Sequence, residues 1–140
     1  MNIVDQLKRD EGMRQVAYQD SLGLWTIGVG RLIDGRKVGA GLRIKEIEQM
    51  LLNDIADREQ ALRLSLPWFD SLDEVRQAVL VNMAFQLGVV GLLGFRDTLN
   101  RVREGDYAGA AAAMLQSKWA SQTPERAKRV AKQMETGAWQ

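Results

Sequence analysis

The chain has 140 residues, with 19 Lys plus Arg against 18 Asp plus Glu, a formal net charge of +1, and neither cysteine nor histidine. Those two absences exclude Ser-His-Asp and Cys-His nucleophile systems, His- or Cys-ligated zinc or haem, and disulfides. With 46% hydrophobic and 26% charged residues, a chain of this length can bury one core, or two small ones sharing a helix.

The first residues, Met1-Asn2-Ile3-Val4-Asp5, lack a basic region followed by an apolar run. No apolar stretch approaches the ~18 residues of a membrane span, so synthesis and folding in a cytoplasm are expected. A short helix opens the chain, with Ile3, Val4 and Leu7 on one side and Gly12 stopping it after Glu11. From Met13 to Asp34 the texture changes to Tyr, Trp, Thr, Ile and Val punctuated by glycine. Alternation from Leu24 to Val29 and the turn residues Asp20-Ser21 predict a small antiparallel β unit. Strands this few need a helix to rest on.

Ile44, Ile47, Leu51, Ile55 and Leu62 recur at helical spacing, predicting a long helix over 43–64 that Pro67 closes. Everything after it reads as helix. Ser71 with Glu74 forms a capping-box pattern for a helix over 73–87 that Gly88 ends. Phe95, Leu99 and Val102 mark another, ended by Gly105, and Asp106 can cap an Ala-rich helix to Gln116. Thr123-Pro124 is an N-cap followed by proline at the first helical position, for a helix ending at Gly137. The predicted class is α+β: one domain over 1–140, with a β lobe over 13–42, a connecting helix over 43–64 and a helical lobe over 65–140. The helix over 3–11 is expected to pack on the helical lobe, and a cleft between lobes is the natural place for a ligand.

Charge is unevenly spread. Residues 96–140 carry 8 basic and 5 acidic groups, whereas residues 1–60 carry 9 and 10. The C-terminal excess suits an anionic polymer, but it is small beside nucleic-acid patches, and a solvated mixed-charge surface is the better account of it. Arg126, Lys128, Arg129 and Lys132 spread around their helix rather than forming one phosphate grip.

Carboxylates are the leading acid and base candidates. Glu11 closes a helix, Asp20 lies on a turn, and Thr26 sits on the following strand among aromatic and apolar neighbours. An acid, a base and a hydroxyl that holds a water suit hydrolysis of a glycosidic bond. In a chain with 18 acids such spacing is weak evidence, and two surface acids, one capping a turn, is the plainer account. Gly28-x-Gly30 is no dinucleotide fingerprint, because the third glycine position is Ile33 and no helix start follows. Those glycines fit tight strand geometry and close backbone approach to a sugar.

Three longer blocks carry more. The first is Met1-Asn2-Ile3, Leu7-x-x-Asp10-Glu11-Gly12, Tyr18-x-Asp20 and Gly23-x-x-Thr26-Ile27-Gly28-x-Gly30. The second is Asp70-Ser71-Leu72-Asp73-x-Val75-Arg76, Asn82-Met83-x-Phe85-Gln86-x-Gly88 and Gly94-Phe95. The third is Trp119-x-x-Gln122-Thr123-Pro124-x-Arg126-Ala127-Lys128-Arg129-Val130 with Thr136-Gly137-x-Trp139. In this order, over nearly the whole chain, they resemble the T-even-phage-type lysozymes, the phage muramidase family.

The resemblance implies a lysozyme-like fold and a set of roles. Glu11 becomes the general acid, Asp20 the carboxylate that positions or deprotonates the attacking water, and Thr26 the hydroxyl that helps hold it. Hydrolysis with inversion is implied, for which the two carboxyls must stand roughly 6.5–9.5 Å apart. Arg126 matches an arginine that pairs with the acid, so desolvation or bound sugar must keep Glu11 protonated. Leu32 and Phe85 match positions lining a saccharide cleft, with Gly30 in close approach. Thr98 stands where the family has serine, and Ala113 where it has a cleft asparagine. For Phe85 alone, core packing is the simpler account.

Two departures stand out. Family members place histidine after Gly-x-Gly, and here that position is Arg31. The matching carboxylate on the connecting helix is Asp54, so an Arg31–Asp54 ion pair is expected, lost as acid protonates the carboxylate. The segment between the Gly-x-Gly turn and the connecting helix is also short, Leu32 to Leu42, which trims the β lobe. Arg43 replaces a threonine N-cap, which predicts a weak helix start.

The resulting expectation is a peptidoglycan hydrolase of endolysin type. It would cut the β-1,4 bond between N-acetylmuramic acid and N-acetylglucosamine without metal or cofactor. Its partner would be the glycan strands, with no nucleic acid and no stable membrane insertion, and the chain would act as a monomer. Location in the host cytoplasm until release by a holin-type partner is expected, with a phage-tail location as the alternative. A lytic transglycosylase, a decayed wall-binding module and a helical nucleic-acid-binding protein are the competing readings.

Overall fold

A computed structural model describes residues 2–140; Met1 and the Ile3 side chain, which the expected apolar stripe and first motif include, lie outside the described residues. The described elements are α1 (Ile3–Glu11), β1 (Arg14–Gln19), β2 (Trp25–Gly28), β3 (Arg31–Leu32), α2 (Ile44–Ser65), a 3-10 turn (Phe69–Ser71), α3 (Glu74–Leu93), α4 (Arg96–Glu104), α5 (Tyr107–Leu115), α6 (Lys118–Gln122) and α7 (Pro124–Thr136). A small antiparallel sheet followed by helices is the expected α+β class. The chain divides into two compact units, one through Met50 and one from Leu51, with the boundary inside α2.

In the first unit, Asn2 starts α1: its Oδ1 accepts from the N–H groups of Val4 and Asp5 at 2.9 and 3.1 Å. These are donors that a first helical turn leaves open. Gly12, at φ 76 and ψ 159, ends the helix in a region essentially reserved for glycine. The sheet order β1-β2-β3 makes β2 central. Thr26 on β2 pairs with Tyr18 on one side and Leu32 on the other, and the β1–β2 register shifts between Arg14 and Tyr18.

The segment after β3 is organised by one carboxylate. Asp34 is 3% exposed. Its Oδ2 accepts from the Trp25 N–H at 3.2 Å and Arg36 Nη2 at 2.7 Å, and its Oδ1 from the Arg36 N–H and Nε at 3.0 and 2.8 Å. Burying a charge is tolerable when its oxygens are paired in this way. The Arg36 side chain above all, then the two backbone N–H groups, hold Asp34 far below the usual aspartate range. Thr26 and Asp34, both polar, are the fully buried side chains of this unit among the described residues; its apolar groups stay partly open.

The start of α2 differs from expectation. Arg43 offers no capping side chain, yet Glu46 accepts the Arg43 N–H at 2.8 Å. This is the reciprocal half of a capping box, made by the third helical residue. The helix start is thereby reinforced.

The second unit holds the apolar core, in which Leu62, Phe69, Leu80, Met83, Leu92, Met114 and Met134 are fully buried. α3 is long and apolar enough to cross a membrane by length and composition, more apolar than the sequence alone suggested. Here its Val79, Leu80, Met83, Ala84 and Leu92 belong to the core, while most of its apolar stretch stays at least partly open. Gly88, at φ 77 and ψ 159, kinks α3 where the sequence predicted its end. The cap of α3 is Asp73, not Ser71: the Asp73 carboxylate accepts from the Arg76 N–H at 2.9 Å, while the Ser71 hydroxyl donates to the Trp68 carbonyl. Asp106 caps α5 as predicted, accepting from the Gly109 N–H at 2.9 Å. Proline opens α7 at its expected place, but the Thr123 hydroxyl donates to the Trp119 carbonyl instead of capping. The short α6, capped by Ser117, was not foreseen.

Candidate active site

Glu11, Asp20, Thr26, Gly30 and Leu32 all lie in the first unit, each placed by a different local device. Glu11 is the last residue of α1, an exposed side chain released by the turn at Gly12. Gly30, at φ 66, forms the tight β2–β3 turn with its backbone against the Glu11 carboxyl. A Cβ at Gly30 would stand 3.1 Å from Glu11 Oε2 and 3.3 Å from Cδ. The glycine is therefore required twice, by its conformation and by its neighbour.

Asp20 follows β1 and is anchored by its own turn. Its Oδ1 accepts from the Leu22 and Leu24 N–H groups at 2.8 and 2.9 Å, and its backbone pairs with Leu24 and Gly23. This Asx-type arrangement fixes the carboxylate plane and leaves Oδ2 without a hydrogen bond among the described residues. Thr26 is 5% exposed, and its hydroxyl donates to the Leu24 carbonyl at 3.1 Å. With the proton so committed, the oxygen can accept from a water. Leu24 thus ties the two groups together: its N–H fixes Asp20 and its carbonyl fixes Thr26.

Arg31 makes an ion pair, but not with Asp54. Its guanidinium forks onto Glu46, Nη1 to Oε2 and Nη2 to Oε1, each at 2.6 Å, and Nη1 also reaches the Gly41 carbonyl at 3.4 Å. Glu46 lies in the first turn of α2, whereas Asp54 is two turns further on, roughly 12 Å along the axis. The Asp54 carbonyl instead accepts from Arg58 Nη1 at 3.0 Å. Glu46 is the functional candidate that sequence reasoning missed. A glutamate three residues after the N-cap position was the available signal, hidden because Arg43 is not a capping residue.

Arg126, Phe85, Thr98 and Ala113 lie in the second unit. Arg126 donates from Nε to Asn82 Oδ1 at 2.9 Å and from Nη2 to the Asn82 carbonyl at 3.2 Å. It lines a cavity of about 540 Å³ with Phe85, Asn82 and Trp139. Phe85 is 38% exposed, with the Arg58 guanidinium 4.3 Å over its ring, so it is not a core residue. Thr98 and Ala113 line a second cavity of about 510 Å³ with Phe95 and Trp119. Trp119 is held there by Gln86, whose Oε1 accepts from Nε1 at 2.8 Å, and packs edge-on to Phe95. Among the described residues no group of three or more carboxylates is arranged to hold a metal ion.

The sequence profile described as phage lysozyme matches residues 8–135. A probable T4-type lysozyme of Dictyostelium discoideum is 30% identical over 97% of this chain and 95% of its own length. That alignment runs over 161 positions, so the relative carries residues that this shorter chain lacks. An endolysin of Salmonella phage P22 is 32% identical over 89% of this chain and 86% of its own. The pre-baseplate central spike protein Gp5 of Enterobacteria phage T4 is 31% identical over 98% of this chain, which matches 28% of that protein.

Proposed function

The chain belongs to the phage lysozyme family and is a glycosidase of lysozyme type; from that premise we propose that it hydrolyses the β-1,4 bond between N-acetylmuramic acid and N-acetylglucosamine in peptidoglycan, with Glu11 as general acid and Asp20 and Thr26 handling the water. The observation that supports this most is the Leu24 link, which holds a carboxylate with one open oxygen and a hydroxyl with an open lone pair in one short hairpin. Glu11 gives its proton to the leaving glycosidic oxygen as the C–O bond breaks. Asp20 Oδ2 takes a proton from the water while the Thr26 oxygen accepts its second O–H, and the water oxygen bonds to the anomeric carbon from the opposite face. The new hydroxyl therefore has inverted configuration. Proton exchange with solvent returns Asp20 to its charged form and Glu11 to its acid form. Leu32 and Phe85 supply apolar surface for sugar faces, and Thr98 a hydroxyl.

Turbidity loss of a peptidoglycan suspension by wild type and Glu11→Gln, with product analysis, tests this. The amide keeps the size and has no acidic proton, so activity should fall by about 10²–10⁴-fold. Full activity in Glu11→Gln rejects the mechanism, and a 1,6-anhydro product selects transglycosylation instead. The enzyme acts as a monomer on the cell wall after release by a holin-type partner. Similarity to a central spike protein favours a tail-associated location as the second reading. Lysis on expression only when the membrane is permeabilised supports the first.

A further inference from the structure

We infer that Arg31 and Glu46 are positioning residues for the reaction, a clamp that holds the Gly30 turn against the Glu11 carboxyl. The inference rests on the role proposed for Glu11. Arg31 is the residue after Gly30 and the first of β3, where it pairs with Ile27 across the ladder. Its fork onto Glu46 places two 2.6 Å bonds at the exit of the turn. Glu46 is itself fixed from below, because Oε2 also accepts the Arg43 N–H at 2.8 Å where α2 begins. The same guanidinium reaches the Gly41 carbonyl, and the Gly41 N–H donates to the Leu32 carbonyl at 3.0 Å.

A two-residue strand has few ladder bonds of its own, so its position depends on what ties it down. The Arg31 fork ties down the residue that directly follows Gly30. A planar bidentate pair fixes orientation as well as distance, which a single charge contact does not. The turn it secures abuts the exposed Glu11 carboxyl, since a Cβ at Gly30 would stand 3.1 Å from Oε2. Small shifts of that turn therefore move the proton donor. Loss of alignment acts on the chemical step, whereas the saccharide contacts remain.

Steady-state kinetics on soluble peptidoglycan fragments, with thermal midpoints and circular dichroism at the assay temperature, test the clamp. Glu46→Gln should lower kcat by roughly tenfold, less than the ~10²-fold of a full ångström of misplacement, with KM within about twofold. Gly30→Ala should also lower kcat, and the double variant Gly30→Ala/Glu46→Gln should fall little below Gly30→Ala alone, because its carboxyl is already displaced. Arg31→Lys keeps the charge and loses the fork, so it should lose kcat several-fold; it carries the test if Glu46→Gln does not fold. Unchanged kcat in the folded single variants, or losses that multiply in the double, would overturn the clamp. Glu11→Gln separates the two ideas. If it is inactive while Glu46→Gln keeps its kcat, only the clamp fails; if it is active, the role of Glu11 fails as well.

Discussion

Glu46 connects a strand and a helix start through one carboxylate, and its chemistry makes that connection sensitive to acid. Arg31 first, then the Arg43 N–H, hold its carboxyl down from 4.5 to about 2. The folded value lies below the unfolded one, so the stabilisation is complete above the unfolded value and is lost as pH falls through the folded one. Urea midpoints of wild type and Glu46→Gln should therefore differ near neutral pH and converge as pH falls from about 4.5 towards 2; a gap that persists in acid contradicts the pairing. A histidine there, which the resemblance implies for the family, would titrate near 6.5, whereas arginine stays charged throughout. The missing histidine was legible in the sequence; its partner was not. Both Glu46 and Asp54 lie on the same helix, and the spacing of residues along the chain does not say which carboxylate an arginine on β3 meets.

Most helices begin and end where local chemistry directs, and two departures in α3 are instructive. Asp73 rather than Ser71 caps α3, because the Asp73 carboxylate accepts the Arg76 N–H while the Ser71 hydroxyl is committed to the Trp68 carbonyl. Asp73→Ala should destabilise the chain by about 1 kcal/mol, read from urea unfolding, and Ser71→Ala by distinctly less. Gly88 kinks α3 instead of ending it, because Leu92 and the residues around it return to the core. Its backbone conformation is closed to side chains, so Gly88→Ala should cost about 1–3 kcal/mol despite the open space around it. A gain in stability would show that the kink relaxes into continuous helix. Arg76 closes the other end of the unit: it donates to the Met134 and Glu135 carbonyls at 2.8 and 3.0 Å and stacks 3.7 Å over Tyr107. The last carbonyls of α7 thereby find donors. No local pattern announced that contact, which joins residues 58 and 59 positions apart.

Stability is concentrated in the second unit. Among the described residues every fully buried apolar side chain lies between Leu62 and Met134, and the buried side chains of the first unit are those of Thr26 and Asp34. Met83→Ala, at a site with no exposure, should cost about 2–5 kcal/mol. Amide exchange should be slowest in α3, α5 and α7 and faster in β1, β2 and β3, since local opening follows buried apolar contact. Equal protection throughout would show that the strands share the core's stability. The same division places the proposed acid, base and water-holding hydroxyl on the less buried unit, held by hydrogen bonds and glycine turns rather than by apolar packing.

The sequence by itself determined the class, the helix ends at Gly12, Gly105 and Gly137, the hairpin carrying Asp20 and Thr26, and the family. Each of these follows from interactions within a few residues or from motifs kept in order. Only the tertiary structure decided that Arg31 forks onto Glu46, that Asp34 staples the loop after β3 with Arg36 and Trp25, and that Gly30 abuts Glu11. Those outcomes depend on which groups come within about 3 Å after folding, a distance that periodicity and composition do not encode.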